Sequence, residues 1–135
     1  MATFFISGRH QWHDDLAYLK DALAAFGIEP EIRETSGGKT AANQLTEAVG
    51  GGRPAIAWVD MASLPHRGMP ESLRGMTYHV ITVYGTDPDR GTALIGDLTD
   101  YPIAIPLADL EEARRRIAKQ KFRLLSVVAV PAAEE

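Results

Sequence analysis

The chain has 135 residues, 45% of them hydrophobic and 24% charged, with a formal net charge of -4. This length and mix are typical of a globular domain with a buried core, so we expect a single domain over residues 1–135. The net negative charge leaves no basic field for phosphates and predicts no nucleic-acid binding. The sequence contains no cysteine, which excludes a disulfide, a thiolate ligand or a thiol nucleophile from it.

The N-terminal segment does not resemble a secretion signal. Its apolar run at residues 4–6 is too short for a signal peptide and follows no basic residue. A short apolar run of this kind is typical of a short buried strand. No segment approaches the ~20 apolar residues of a membrane span. We therefore expect a cytoplasmic protein that does not bind membranes.

After the short strand at residues 4–6, apolar spacing predicts two helices and two further strands in the first half of the chain. A helix with apolar residues at helical spacing begins near Leu16, and Gly27 suits its C-terminal cap. A strand follows at residues 28–33, and a second helix at residues 39–49. The continuous apolar run at residues 55–59 is typical of a strand that is covered on both faces.

The second half of the chain is mostly strands. Residues 60–76 contain several prolines and glycines without a period, which predicts a loop. A β-branched run at residues 79–84, stopped by Gly85, a turn at 87–91 and a run at 92–96 predict a hairpin. The remaining elements are a short strand at 102–106, a helix at 107–119 and a last strand at 122–130. This order predicts an α+β fold, with a mostly antiparallel sheet flanked by helices.

Three short motifs suggest ligands but lack the partners that those ligands need. Residues 36–40 resemble the end of a phosphate-binding P-loop, but Arg33 stands where that loop requires glycine. Residues 87–91 lack the other carboxylates of a calcium loop. His10 and His13 have no third metal ligand nearby. We therefore predict no cofactor and no metal site.

A more informative pattern joins two of the predicted strands. His79 begins one strand of the hairpin and Asp97 follows the other, so antiparallel pairing brings the two residues close together. A histidine oriented by a carboxylate is the base half of a catalytic triad. On residue types alone, a structural histidine remains the commoner explanation. Asp60, at the end of the apolar strand, is a loop cap or a functional carboxylate.

The same segments resemble the N-terminal domain family of butirosin biosynthesis protein H. The resemblance rests on four blocks in chain order, namely Gly52-Arg53-Pro54 through Asp60 to Leu64-Pro65-His66, Tyr78 to Gly85, Leu94-Ile95-Gly96-Asp97, and Leu107 to Arg114. The family is similar to papain-like cysteine peptidases of the bacteriocin-processing kind. Its founding member moves an acyl group from a carrier protein to an aminoglycoside amine.

The resemblance implies a role for each of four residues. His79 would be the general base and Asp97 its orienter, while Asp60 and His66 would bind substrate near the acceptor pocket. The family's nucleophilic cysteine, on a helix near its N-terminus, has no counterpart here, and His66 replaces a tyrosine. We therefore expect the C-terminal, sheet-bearing half of a papain-like domain, as a fragment or a shortened gene product.

Three functional hypotheses remain open. The first is an acyltransferase or amidase-like half-domain, inactive alone, that uses an acyl-carrier substrate and a cysteine-bearing partner. The second is a non-catalytic binding module that associates with itself or with a partner chain through the face that the missing helix would cover. The third is a serine nucleophile, for which the candidates are Ser7, Ser36, Ser63 and Ser72.

Overall fold

The computed structural model describes residues 15–129. The predicted strand at residues 4–6, and also Ser7, His10 and His13, lie outside the described residues. The chain divides into two units, one formed by residues 1–30 and 128–135, the other by residues 31–127.

The first unit contains helix α1, Asp15–Ala25. Gly27 follows it with a left-handed φ of 72°, and its N–H donates to the carbonyl of Ala24. The N–H of Ile28 donates to the carbonyl of Leu23. Glycine adopts this conformation without a steric penalty, so the predicted C-terminal cap is confirmed.

Most of the sheet belongs to the second unit, whereas residues 29–30 of its first strand and 128–129 of its last belong to the first unit. The strands are β1 (Glu29–Arg33), β2 (Ala55–Asp60), β3 (Tyr78–Asp87), β4 (Thr92–Gly96), β5 (Ile103–Pro106) and β6 (Leu124–Ala129). The strand order across the sheet is β1-β6-β2-β3-β4-β5. The pairs β2–β3, β2–β6, β3–β4 and β4–β5 are antiparallel, so the predicted fold class is confirmed.

Two helices of this unit contact one face of the sheet. They are α2 (Gly38–Gly50) and α3 (Leu107–Arg115). The core between helices and sheet is apolar, and its members include Leu45, Val49, Ala57, Val59, Ile81, Val83, Ile95, Ile105 and Leu110. The alternation of β3 places His79 on the same face as Ile81 and Val83, at the end of this core.

The structure corrects two of the predicted boundaries and the description of one loop. Strand β3 does not stop at Gly85 but continues to Asp87, and helix α3 ends at Arg115 because Ile117 leaves the helical region. The segment predicted as a plain loop contains three short 3-10 turns, which are Met61–Ser63, Pro65–Arg67 and Glu71–Leu73.

A β-bulge at Tyr84 decides which face Asp97 occupies. Near the turn, Gly85 pairs with Leu94, but beyond the bulge Val83 pairs with Ile95. Without this shift of one residue, Asp97 would continue the ladder on the face opposite His79, because successive residues alternate between faces. The bulge therefore brings His79 and Asp97 to the same face.

Candidate functional site

Four polar side chains meet at the end of the core, with the carboxylate of Asp97 at their centre. His79 Nε2 lies 2.6 Å from Asp97 Oδ1, and His66 Nε2 lies 2.7 Å from Oδ2. Arg67 donates from Nε to Oδ2 at 2.8 Å and from Nη2 to Oδ1 at 3.2 Å. The Asp97 side chain is 1% exposed, whereas each histidine side chain is 20% exposed. We call these four residues the Asp97 cluster.

The Asp97 carboxyl is held in its charged form. Burial by itself raises its pKa, but hydrogen bonds from Arg67, His79 and His66 outweigh burial and hold the pKa below its ordinary value. An ionised carboxylate only accepts hydrogen bonds. Both histidines must therefore carry a hydrogen on Nε2 to make these contacts.

The hydrogen on Nε2 decides which ring nitrogen of His79 can accept a proton. Because Nε2 donates to Asp97, the 3.1 Å approach of Arg67 Nη2 to Nε2 brings two donors together and is not a hydrogen bond. The Arg67 N–H is satisfied by Asp97 Oδ1 instead. Nδ1 is then the nitrogen of His79 through which a proton can be accepted, as a general base requires.

The loop between β2 and β3 carries two members of the cluster and is tied to the sheet by Asp60. The Asp60 carboxylate accepts hydrogen bonds from Ser63 Oγ at 2.6 Å, Gly75 N at 2.8 Å, Thr77 Oγ1 at 2.7 Å and Thr77 N at 3.2 Å. Burial raises the pKa of Asp60, but these donors outweigh it and lower the pKa below its ordinary value. We call this arrangement the Asp60 knot.

The structure brings together three of the four predicted site residues. His66, His79 and Asp97 share the Asp97 cluster, whereas Asp60 is fully buried in its own knot. Val59 pairs with His79, so Asp60, one residue further along β2, projects from the opposite face of the sheet. Among the described residues, no hydrogen bond joins Asp60 to the Asp97 cluster.

Sequence reasoning missed Arg67. A cation in a segment without periodicity has no local signal, and its partner lies 30 residues away in the chain. Its position directly after His66 in the Leu-Pro-His block was the available clue. Among the described serine candidates, Ser63 Oγ donates to Asp60 rather than to a histidine, and no hydrogen bond joins Ser36 or Ser72 to the Asp97 cluster.

Three exposed apolar side chains lie close in sequence to the cluster residues. They are Met76, Leu98 and Tyr101, all largely accessible to solvent. Leu98, directly after Asp97, has a left-handed φ of 59°, which is strained for a residue with a branched side chain.

Two further properties concern only residues 15–129. Within that range, no group of three or more histidine, aspartate or glutamate side chains is arranged to hold a metal ion. None of the helices described there has the length and apolar character needed to span a bilayer.

The sequence profile of butirosin biosynthesis protein H, N-terminal, matches residues 1–98. The chain belongs to this family. All four predicted site residues lie within the match, whereas the block at residues 107–114 lies beyond it. The resemblance predicted from the sequence is thus confirmed for nearly three quarters of the chain.

The fold is similar to that of a solved structure from a bacterium. A crystal structure described as a C39-like peptidase from Bacillus anthracis matches with a TM-score of 0.56 and 15% identity. The match covers 81% of this chain and 56% of that chain, so this chain spans little more than half of that protein's length. A search of curated proteins finds no match to the chain. The likeness shows a scaffold shared with C39-like peptidases.

Proposed function

We propose that this member of the butirosin biosynthesis protein H family is the base-bearing half of an acyltransferase or amidase-like site. The observation that carries the proposal is the 2.6 Å contact between His79 and Asp97 on two paired strands. It orients the imidazole and leaves Nδ1 facing away from the carboxylate. The chain contains no cysteine, so alone it has no covalent route through a thiol.

The thiol comes from a cysteine-bearing helix outside this sequence, on an upstream segment or on a partner polypeptide. His79 Nδ1 accepts the thiol proton, and the thiolate attacks the carbonyl carbon of an acyl thioester. The carbon–sulfur bond to the carrier breaks, and the carrier sulfur takes the proton from the imidazolium. An amine then attacks the acylated cysteine, with His79 moving the proton of the amine to the departing sulfur.

The remaining predicted residues have different parts in this proposal. His66 is partly exposed beside Asp97, so its ring faces substrate while Nε2 helps to hold the carboxylate. Asp60 acts indirectly, because all of its hydrogen bonds go to the loop that carries His66. We therefore assign Asp60 to holding the substrate-side loop.

Reconstitution in trans tests the catalytic proposal. The chain is mixed with a peptide that contains the cysteine-bearing helix of a family relative, an acyl thioester and a primary amine. Mass spectrometry measures the amide product. We expect product with the unchanged chain and a loss of at least about 100-fold with His79→Ala, the lower end of general acid–base contributions.

The matched control is Asp87→Ala, which removes a half-exposed carboxylate from the hairpin turn and should leave the rate unchanged. A helix peptide with serine in place of cysteine should give no product. An equal rate with His79→Ala, or no product with any cysteine-bearing helix, would contradict the catalytic proposal.

A binding module is the second candidate, and one observation favours it. Asp97 is charge-paired with Arg67 and bonded to both histidines, as in a static ion cluster, and exposed apolar residues flank it in sequence. In this case the chain associates with a second copy of itself through these apolar residues. Sedimentation should then show a dimer that is weakened by Leu98→Asn, since asparagine tolerates the left-handed φ. A monomer at all concentrations would count against this candidate.

A further inference from the structure

Arg67 makes a two-point contact with Asp97. Its Nε lies 2.8 Å from Oδ2 and its Nη2 lies 3.2 Å from Oδ1, so one guanidinium edge bonds both carboxylate oxygens. Arginine is suited to this geometry because its donors form a rigid planar fork. The plane of the Arg67 guanidinium and the plane of the Asp97 carboxylate are thereby held in a fixed relation.

The contact with Arg67 restricts the terminal side-chain torsion of Asp97, which sets the direction of each carboxylate oxygen. The terminal torsion of an aspartate side chain is broad and costs little energy to rotate. A carboxylate held only by His79 and His66 could turn about this bond while keeping one hydrogen bond. With both oxygens bonded to Arg67, Oδ1 stays directed at His79 and Oδ2 at His66.

Arg67 is itself held in place by the loop. It ends the 3-10 turn Pro65–Arg67, and its N–H donates to the carbonyl of Leu64 at 3.1 Å. Gly68 follows with a left-handed φ of 59°, which turns the chain sharply after the arginine. The far end of the loop is fastened by the Asp60 knot at Gly75 and Thr77.

The charge of Arg67 adds a second effect. The Asp97 side chain is almost fully buried, and an unpaired buried carboxylate is costly. The guanidinium neutralises that charge whichever proton state His79 occupies. Asp97 therefore stays ionised, as an acceptor for the Nε2 hydrogen, while His79 gains and loses a proton at Nδ1.

We propose that Arg67 is a positioning residue of the His79–Asp97 pair, which fixes the Asp97 carboxylate so that His79 keeps its hydrogen on Nε2 and its lone pair on Nδ1. This inference rests on the proposed function only for its consequence, namely that His79 acts as a base. Its structural content concerns the tautomer and the hydrogen bond.

Nitrogen-15 NMR of the labelled full chain tests this directly. The ring nitrogen shifts of His79 report which nitrogen carries the hydrogen, and the Nε2 hydrogen bonded to buried Asp97 should exchange slowly with water. In the unchanged protein we expect the Nε2–H tautomer with a protected hydrogen. Arg67→Gln and Arg67→Lys should both give mixed tautomers and a fast-exchanging hydrogen.

Arg67→Lys separates geometry from charge, because lysine keeps the charge but lacks the fork. Arg74→Gln is the matched control, since Arg74 lies on the same loop and its ion pair is a 3.9 Å contact with exposed Glu71. It should leave the His79 spectrum unchanged. The urea midpoint of each variant shows that the chain remains folded.

The proposal is overturned if Arg67→Lys keeps the spectrum of the unchanged protein, even if Arg67→Gln fails to fold. It is also overturned if Arg74→Gln alters the spectrum as much as Arg67→Lys does. The NMR readout needs no acyl donor, so a failure of the catalytic proposal remains distinguishable. In a reconstituted reaction, Arg67→Lys should lower kcat about 10- to 100-fold with KM unchanged, as expected for a misplaced base.

Discussion

The Asp60 knot and the Asp97 cluster both hold a buried carboxylate at the end of a strand, but with different donors. Asp60 accepts hydrogen bonds from two hydroxyls and two backbone amides. Asp97 accepts them from one guanidinium and two imidazoles. The first set of donors is neutral and does not titrate, whereas the second is cationic or can become so.

The difference teaches what a lowered pKa does and does not indicate. Hydrogen bonds outweigh burial at both sites and lower the pKa of both carboxyls. Neutral fixed donors produce this effect at Asp60 and make a rigid loop anchor. At Asp97 the donors are a charged guanidinium and two partly exposed imidazoles around a buried carboxylate, which is typical of a site that handles protons. The kind of donor distinguishes the two sites, whereas the direction of the pKa shift does not.

The largest effect on stability should come from the Asp60 knot. Asp60→Ala leaves two hydroxyls and two backbone amides of a buried loop anchor without an acceptor. Since each unsatisfied buried group costs about 1–3 kcal/mol, we expect a loss of about 3–5 kcal/mol in the free energy of unfolding. Urea denaturation measures it. Asp87→Ala is the matched control: it removes one exposed hydrogen bond from the Arg90 N–H and an exposed ion pair, so it should change stability by less than about 1 kcal/mol.

A small loss of unfolding free energy in Asp60→Ala would contradict the difference that we draw between the Asp60 knot and the Asp97 cluster. A loss below about 1 kcal/mol would mean that water reaches the donors and that the knot does not anchor the loop. If the Asp60 knot holds the loop that carries Arg67, removing the Asp60 carboxylate should also change the NMR spectrum of His79. We therefore expect Asp60→Ala, where it still folds, to loosen the Arg67 contact as well.

A smaller loss should follow from Asp97→Asn. The amide keeps one acceptor oxygen but presents an NH₂ group to donors on the other side, so at least one contact from Arg67, His66 or His79 is lost. Because these partners are partly exposed and can turn to water, we expect a loss of about 1–2 kcal/mol in urea denaturation. The His79 tautomer should change strongly. A stability loss as large as that of Asp60→Ala with an unchanged tautomer would reverse the roles we assign.

Acid should weaken the fold through both carboxyls. A carboxyl with a pKa below its ordinary value of 3.8 stabilises the fold fully above that value, and this stabilisation is lost as the pH falls through the lowered pKa. We expect the urea midpoint to fall as the pH drops below about 4, at constant ionic strength. Asp60→Ala and Asp97→Asn should each flatten this fall. A midpoint independent of pH between about 5 and 2.5 would contradict the ionised state of both groups.

Much of the fold could be predicted because it follows from local patterns. The apolar run of β2 and the helical spacing of α2 depend on which residues are buried, and burial imposes its period on the sequence. The extent of β3 could not be predicted in this way. Gly85 is a strong local signal for the end of a strand, but pairing with Leu94 extends the strand through it. A glycine within a strand also marks a bulge, and that was the signal to use.

The candidate site could be predicted in part for the same reason. His79 and Asp97 belong to a hairpin, so the turn predicts that they lie near each other, but it does not predict the bulge at Tyr84 that brings both to one face of the sheet. Arg67 reaches Asp97 across 30 positions of the chain, from a loop whose path depends on Asp60. Asp60 stood at a strand end, where a carboxylate serves a site or a loop. The contacts with Ser63, Gly75 and Thr77, which the structure shows and the sequence does not, favour the loop.

The smallest effect on stability should come from a substitution at Gly96, on the face of β4 opposite the Asp97 cluster. A Cβ at Gly96 would lie 2.9 Å from Cε2 of Tyr84, but this ring is 42% exposed at the bulge and can swing aside. We expect Gly96→Ala to cost less than about 1 kcal/mol, and the cost should vanish in Tyr84→Ala, a non-additivity that a double-mutant cycle measures.

The His79 spectrum should remain unchanged in Gly96→Ala, because the added methyl group lies across the sheet from Asp97. If this methyl group altered the tautomer as Asp97→Asn does, the cluster would depend on the backbone of β4 more than on Arg67. The two-point contact would then be a consequence of the strand's position. An unchanged spectrum together with a small stability cost places the control of His79 on the loop side, where Arg67 and the Asp60 knot lie.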